Sequence, residues 1–298
     1  KEEPVIIEDT FAEMFPMWAG RILITAANEK WAKIAANTAA GFASSIIMSP
    51  AEASLEGMVP ASETPDGRPG AIIQIYHSSR GDLKNQMATR ISQCVMTCPT
   101  TAVFDALPKA KRRVNIGRSL RLFGDGFQKS DEVAGRKVWR IPVMEGEFVI
   151  ENDFGIMKAV AGGALLLLAK DWQTGLKAAE DAVEAISKVR GAIMPFPGRI
   201  CRAGSKVGSI NYKLPASTNQ MYCPTLKKLV PDTKLPEDVN SVFEIVINTL
   251  NLRVMKAAFE AGLKSAIAAE GIVKITAPNY GGKLGPFKAE LKEVLNLE

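Results

Sequence analysis

The sequence predicts an α+β fold built as two similar lobes. Three observations carry this: the length of the chain, an internal repeat, and a strand followed by an amphipathic helix in each copy. At 298 residues the chain is about twice a usual single domain, and with 47% hydrophobic residues it can bury two cores. Ala19-Gly20, an apolar run over 22–24, Trp31 and Ala35-Ala36 are echoed by Ala161-Gly162, an apolar run over 164–168, Trp172 and Ala178-Ala179, at offsets of 142, 141 and 143. Met96-Thr97-Cys98-Pro99-Thr100 returns as Met221-Tyr222-Cys223-Pro224-Thr225 at an offset of 125, a drift that a shortened second-half loop explains. The division expected is an N-terminal lobe over 1–148 and a C-terminal lobe over 149–298.

In the first copy the apolar run reads as a strand and Trp31, Ile34, Ala35, Thr38 and Phe42 as a helical stripe, followed by a second apolar stretch at 45–48. Residues 49–70 hold Pro50, Pro60, Pro65, Pro69 and three glycines without periodicity, which reads as a long connection of the functional kind. A strand over 71–76 and a helical segment over 81–96 come next. Residues 138–143 and 147–151, separated by Met144-Glu145-Gly146, read as a hairpin that links or braces the lobes. The second copy repeats the strand, then offers a stripe of Trp172, Leu176, Ala179, Val183 and Ile186, and an apolar stretch at 192–194. A strand over 242–248 precedes a helix over 252–269, with Asn251 as N-cap, Gly271 past its end, and an inward stripe of Leu252, Met255, Phe259, Leu263 and Ile267. Helices on one face of each sheet is the architecture this implies.

Charge and cysteine usage narrow the function. Thirty-seven basic against 32 acidic residues give +5 without a run of five like charges, which argues against nucleic acid and for small ligands bearing carboxylates or phosphates. Cys94, Cys98, Cys201 and Cys223 are too few for a disulfide framework, so a reducing, intracellular compartment is expected. No apolar run approaches bilayer length and the first residues are acidic, so neither membrane span nor signal peptide is expected.

His77 is the only histidine. A Ser-His-Asp arrangement would have to use it, and a capping or solvent-facing role is the better reading. Cys94 and Cys98 stand one helical turn apart and the other two thiols are isolated, which favours four small buried thiols over zinc. Glycine-rich stretches at 67–70, 124–126, 204–208 and 281–285 match no Walker or dinucleotide fingerprint, and each alone reads as a turn. Three of them carry Arg or Lys beside backbone amides, a composition suited to anionic groups. Glu244 lies in an apolar strand, on one face with Val242 and Val246, while the other face is apolar too. Desolvated there, its carboxyl could stay protonated near neutrality and serve as a general acid. An edge glutamate facing water or a lysine is the equal alternative.

Several segments together resemble one family. They are Ile7-Glu8-Asp9-Thr10-Phe11-Ala12-Glu13, the stretches 63–70 and 93–101, Phe123-Gly124-Asp125-Gly126, Pro195-Phe196-Pro197-Gly198, Gly204-Ser205-Lys206-Val207-Gly208, and Asn279-Tyr280-Gly281-Gly282-Lys283-Leu284-Gly285. In that order, and across essentially the whole chain, they are similar to formylmethanofuran:tetrahydromethanopterin formyltransferases. The resemblance implies two ferredoxin-like lobes and a cytoplasmic one-carbon enzyme of the methanogen type. It implies formyl transfer between the amine of methanofuran and N5 of tetrahydromethanopterin, carriers that act as co-substrates, with no permanently bound cofactor and no metal. It further implies a homotetramer built from dimers, found in methylotrophic relatives within a formyltransferase/hydrolase complex. Glu244 becomes the leading catalytic residue. Arg68, Lys206 and Lys283 become candidates for the carriers' anionic groups, with Asp66, Gly204, Ser205 and Tyr280 in the same motifs. The alternative is a non-catalytic pterin-binding or scaffolding subunit.

Overall fold

Two copies of one β-α-β-β-α-β unit account for most of the chain, as seen in a computed structural model that describes residues 4–296. In the first, strands Phe11–Thr25, Glu52–Val59, Gly70–His77 and Ala102–Asp105 alternate with helices Glu29–Ala40 and Arg80–Arg90. Ala102–Asp105 pairs with Phe11–Thr25, which pairs with Gly70–His77, which pairs with Glu52–Val59, all antiparallel. The second unit uses Phe154–Ala169, Ala192–Ile193, Ser241–Thr249 and Ile272–Thr276, with helices Trp172–Ser187 and Leu252–Ile267. Its order is the same: the fourth strand beside the first, then the third, then the second, again antiparallel. This is the ferredoxin-like arrangement, twice.

Close packing divides the chain into residues 17–159 and, separately, the residues up to Pro16 with those from Val160 onward. The sequence-based division at 148/149 differs from this because both packing boundaries fall inside strands, where no linker composition marks them. The N-terminal segment joins the second unit through backbone pairing. Ile6 and Ile7 run parallel to Lys274 and Ile275, and residues 11–14 pair with 287–290.

The three longer helices that pack on the sheets start alike. Asn28, Asp171 and Asn251 have extended backbones and accept the N–H of Trp31, Thr174 and Val254 at 3.1, 2.8 and 3.0 Å. Cap to cap, the copies are offset by 143, so the two alanine pairs correspond, whereas Trp31 and Trp172 do not. A glycine confirms the spatial register. A Cβ on Gly20 would lie 2.4 Å from Met87 Sδ, and one on Gly163 2.8 Å from Met255 Sδ, each methionine projecting from its unit's second helix. The Met-x-Cys-Pro-Thr echo is not part of the duplication. Its first copy follows the second helix, while its second precedes the third strand.

Alanines, not large residues, seat the first helix: Ala32, Ala35, Ala36 and Ala39 are buried, whereas Ile34 and Phe42 of the expected stripe are exposed. The helix at 252–267 follows expectation, with Met255, Phe259 and Leu263 buried, each such burial contributing about 1.5–3 kcal/mol. Within the apolar stretch 45–48, residues 46–48 form a turn. The stretch 49–70, read as a long loop, contains strand Glu52–Val59, whose periodicity is hidden by a bulge between Leu55 and Gly57 and by buried Glu52 and Glu56. The 138–151 hairpin is present as Arg136–Val143 and Gly146–Glu151, within the unit of residues 17–159. His77 ends its strand and caps the next turn, its Nδ1 accepting the Ser79 N–H at 3.0 Å. No helix among the described residues is long and apolar enough to cross a membrane.

Candidate active site

The strand Ser241–Thr249 alternates as its sequence requires. Ile245 and Ile247 face the helices, and Phe243 packs against that same core, while Val242 turns to a second cluster with Leu166, Leu168, Leu235 and Val239. Glu244 shares the face of Val242 and sits opposite Leu166 in the ladder. On its other edge the strand pairs with Ala192–Ile193 near its end, and farther back Cys201 returns to bridge Glu244 alone. The two residues exchange backbone bonds: Cys201 N–H to Glu244 O at 2.7 Å, and Glu244 N–H to Cys201 O at 3.3 Å.

Glu244 and Cys201 line a cleft of about 870 Å³ within the second unit, with Trp172, Gly204, Asn219 and Tyr222 among the other walls. Burial pushes the Glu244 carboxyl up to about 7, opposed by a hydrogen bond from the Cys201 thiol. Burial, then the Glu244 charge, drive that thiol up to about 11, while the backbone N–H groups of Gly204 and Ala203 pull the other way. A carboxylic acid that is half protonated at neutrality and faces open space can give a proton to a bound reactant. Gly204 adopts φ +55, and a Cβ there would stand 3.9 Å from Glu244 Oε2. Glycine thus meets the backbone requirement and keeps side-chain bulk away from the acid.

Of the sequence candidates, Gly204 and Glu244 are brought together directly. Ser205 and Lys206 lie in a short hairpin with 216–218, where Lys206 Nζ donates to Ser217 Oγ at 3.0 Å and Thr218 O at 2.7 Å. Tyr280 Oη accepts the Val207 N–H at 3.0 Å, fastening the 279–285 loop to that hairpin, and Lys283 is exposed on the same loop. Val207 and Gly208 N–H groups are therefore engaged, the latter by Pro215 O. Asp66 and Arg68 belong to the other unit. There Asp66 accepts from Thr25 Oγ1 at 2.6 Å and Arg68 Nε at 2.9 Å, and Arg68 also donates to Thr100 O at 2.6 Å, a network that braces the loop.

Sequence reasoning missed three contributors. Cys201 read only as a buried thiol. Asn219, nine-tenths buried in the cleft wall, has a side-chain oxygen with no hydrogen-bond partner. Its neighbours Thr218 and Gln220 gave no pattern to mark it. Glu13, 1% exposed, accepts the N–H groups of Tyr280 at 2.7 Å, Leu284 at 2.5 Å and Gly285 at 3.2 Å and so shapes the whole 279–285 loop. Burial raises its pKa, but these donors and Gly282 together hold the carboxyl below its ordinary value. It stood within a quoted motif, yet a lone glutamate in a strand shows no partner.

Comparison with known proteins identifies the family of both halves. Residues 1–143 match the family described as formylmethanofuran-tetrahydromethanopterin formyltransferase, and residues 146–294 match its proximal lobe. The formylmethanofuran–tetrahydromethanopterin formyltransferases of Methanocaldococcus jannaschii and Methanopyrus kandleri are 53% and 52% identical, each match covering 97% of this chain and 98% of the relative. The Methanosarcina barkeri enzyme structure superposes with a TM-score of 0.95 at 48% identity, over 97% of this chain and 98% of that one. A chain of the formyltransferase/hydrolase complex of Methylorubrum extorquens, solved with methylofuran, gives 0.93 at 42% identity over 98% and 97%. With both lobes matched in order and nearly end to end, this chain belongs to the formylmethanofuran–tetrahydromethanopterin formyltransferase family.

Proposed function

We propose that the cleft around Glu244 holds both carriers in a ternary complex and passes the formyl group between the amine of methanofuran and N5 of tetrahydromethanopterin. The observation that carries this reading is a carboxyl with a pKa of about 7 on the wall of an open, largely apolar cleft. A carrier amine is already a nucleophile, so the protein's task is alignment, oxyanion stabilisation and proton delivery. As the new N5–carbon bond forms and the bond to the methanofuran nitrogen breaks, Glu244 hands its proton to the tetrahedral adduct and regains one from N5. The orphan Asn219 oxygen supports a docking role, since a carrier N–H would supply the donor it lacks. Lys206, Lys283, Ser205 and Tyr280, on the hairpin and loop tied together by the Tyr280 hydroxyl, are the proposed contacts for anionic tails. In the other unit Arg68, held by its ion pair with Asp66, is proposed as a separate candidate for an anionic group. Both carriers come and go as co-substrates. A homotetramer in the cytoplasm is the proposed state, with four free thiols in support of the compartment. The Methylorubrum extorquens relative, solved within a larger complex, makes membership of such a complex the second reading for assembly.

The test is Glu244→Gln, assayed spectrophotometrically for transfer between the two carriers. kcat is expected to fall by about 10²–10⁴, the usual contribution of a positioned acid, and the alkaline limb of kcat/KM near pH 7 to vanish. Full turnover in the glutamine variant removes the acid from the mechanism and leaves the scaffold reading standing.

A further inference from the structure

We infer that Cys201 is a positioning residue for the transfer acid, its backbone fixing Glu244 against the cleft and its thiol tuning how firmly the carboxyl keeps its proton. The inference rests on the reading of Glu244 as the acid.

The geometry is that of a two-residue sheet extension. Cys201 is the only bridge to this part of the strand edge among the described residues, and it exchanges both backbone bonds with Glu244. In such an antiparallel pair the side chains project to one face, with Cα atoms about 5.5 Å apart. Cys201 is 6% exposed, so this contact is shielded from water. The pairing sets the thiol beside the carboxyl on the cleft wall, where the Ala203 and Gly204 N–H groups act on the sulfur and the thiol in turn favours the carboxylate. Donation into the sulfur polarises its own S–H. With the thiol's pKa at about 11 it remains a donor throughout any ordinary assay range.

The other ionisable groups on the cleft wall are Glu180 from the helix, Arg202 from the segment after Cys201, and Tyr222 and Cys223 from the facing turn. The side-chain partner that opposes the upward shift of the Glu244 carboxyl is the Cys201 thiol. A thiol is a weak donor, which suits an acid that must keep its proton near neutrality. A hydroxyl in its place would favour the carboxylate more strongly, and a methyl group would favour it less.

Two variants of nearly equal size therefore move the system in opposite directions. The experiment is the pH profile of kcat/KM for the full-length protein and for Cys201→Ser and Cys201→Ala, with both carriers. The serine variant is expected to lower the midpoint of the alkaline limb by about half a pH unit and the alanine variant to raise it by about as much. On that limb each shift is worth about threefold in activity at fixed pH. A purely structural role lowers the amplitude and leaves the midpoint in place. Because a midpoint does not depend on the fraction of active protein, partial misfolding leaves the readout intact, and the sign in either variant alone decides. Midpoints unchanged in both, with the parent limb present, overturn the role of Cys201. Absence of any limb near pH 7 in the parent overturns Glu244 instead.

Discussion

A carboxyl that folding forces to keep its proton must make the folded state weaker as pH rises, and Glu244 sets the size of that effect. Its pKa goes from an ordinary 4.5 to about 7 in the fold. Between those values the folded chain binds more protons than the unfolded one through this group, so its contribution to stability is fully present below pH 4.5 and is lost as pH climbs through 7. At about 1.4 kcal/mol per unit, the full penalty is about 3 kcal/mol, of which about 2–3 kcal/mol falls between pH 5 and pH 8. Glu244→Gln removes the titration while preserving shape. Urea unfolding of parent and variant at both pH values is the assay, read as the difference of differences so that all other titrating groups cancel. The parent is expected to lose about 2–3 kcal/mol more than the variant on going from pH 5 to pH 8. Parallel behaviour of the two proteins would mean that the carboxyl is hydrated and ionised like any surface glutamate, and the acid would lose its physical basis.

Glu13→Ala strands backbone donors that are otherwise bound to a buried carboxylate, so it is expected to cost about 3 kcal/mol in urea unfolding and to release the amides of Tyr280, Leu284 and Gly285 to hydrogen exchange. Because the Glu13 carboxyl sits below its ordinary value, its contribution is present above pH 4.5 and is lost as pH falls further, the opposite sense to Glu244. Gly20→Val would drive a side chain into Met87, whose sulfur lies 2.4 Å from the Cβ position, and a fall of about 1–3 kcal/mol in stability is expected; no change in Tm would refute the packing register.

The parts of this molecule visible in the sequence are those where one residue type answers one physical need. Asn251 announced a helix start because its side chain can accept a backbone N–H, and Met255, Phe259 and Leu263 announced a buried face because each is large and recurs at helical spacing. Glu244 stood out because it interrupts a strand that is apolar on both faces, although an edge glutamate facing water reads equally well there. What was hidden involved residues whose meaning depends on a partner far away in the chain. The first helix docks through alanines, which score little by size, so Ile34 and Phe42 drew attention to the wrong side. Glu52 and Glu56 are buried in a strand where polar residues normally mark the wet face, and the bulge beside them shifts the period by one.

The same distinction separates Glu244 from the residues folded around it. A carboxyl's local environment follows from its immediate neighbours, and Val242, Phe243, Ile245 and Val246 lie in the same strand. The settings that tune it come from elsewhere. Cys201 reaches it across 43 positions of chain through a single bridge, and Gly204 and Asn219 meet one another through a backbone bond of 3.0 Å between segments with no common pattern. Those contacts exist because the strand edge is left open beyond Ala192–Ile193, a consequence of how short that strand is. A ferredoxin-like unit with a full-length second strand would cover that edge and exclude the Cys201 bridge. In this lobe the truncated strand is what leaves the edge beside Glu244 open to Cys201.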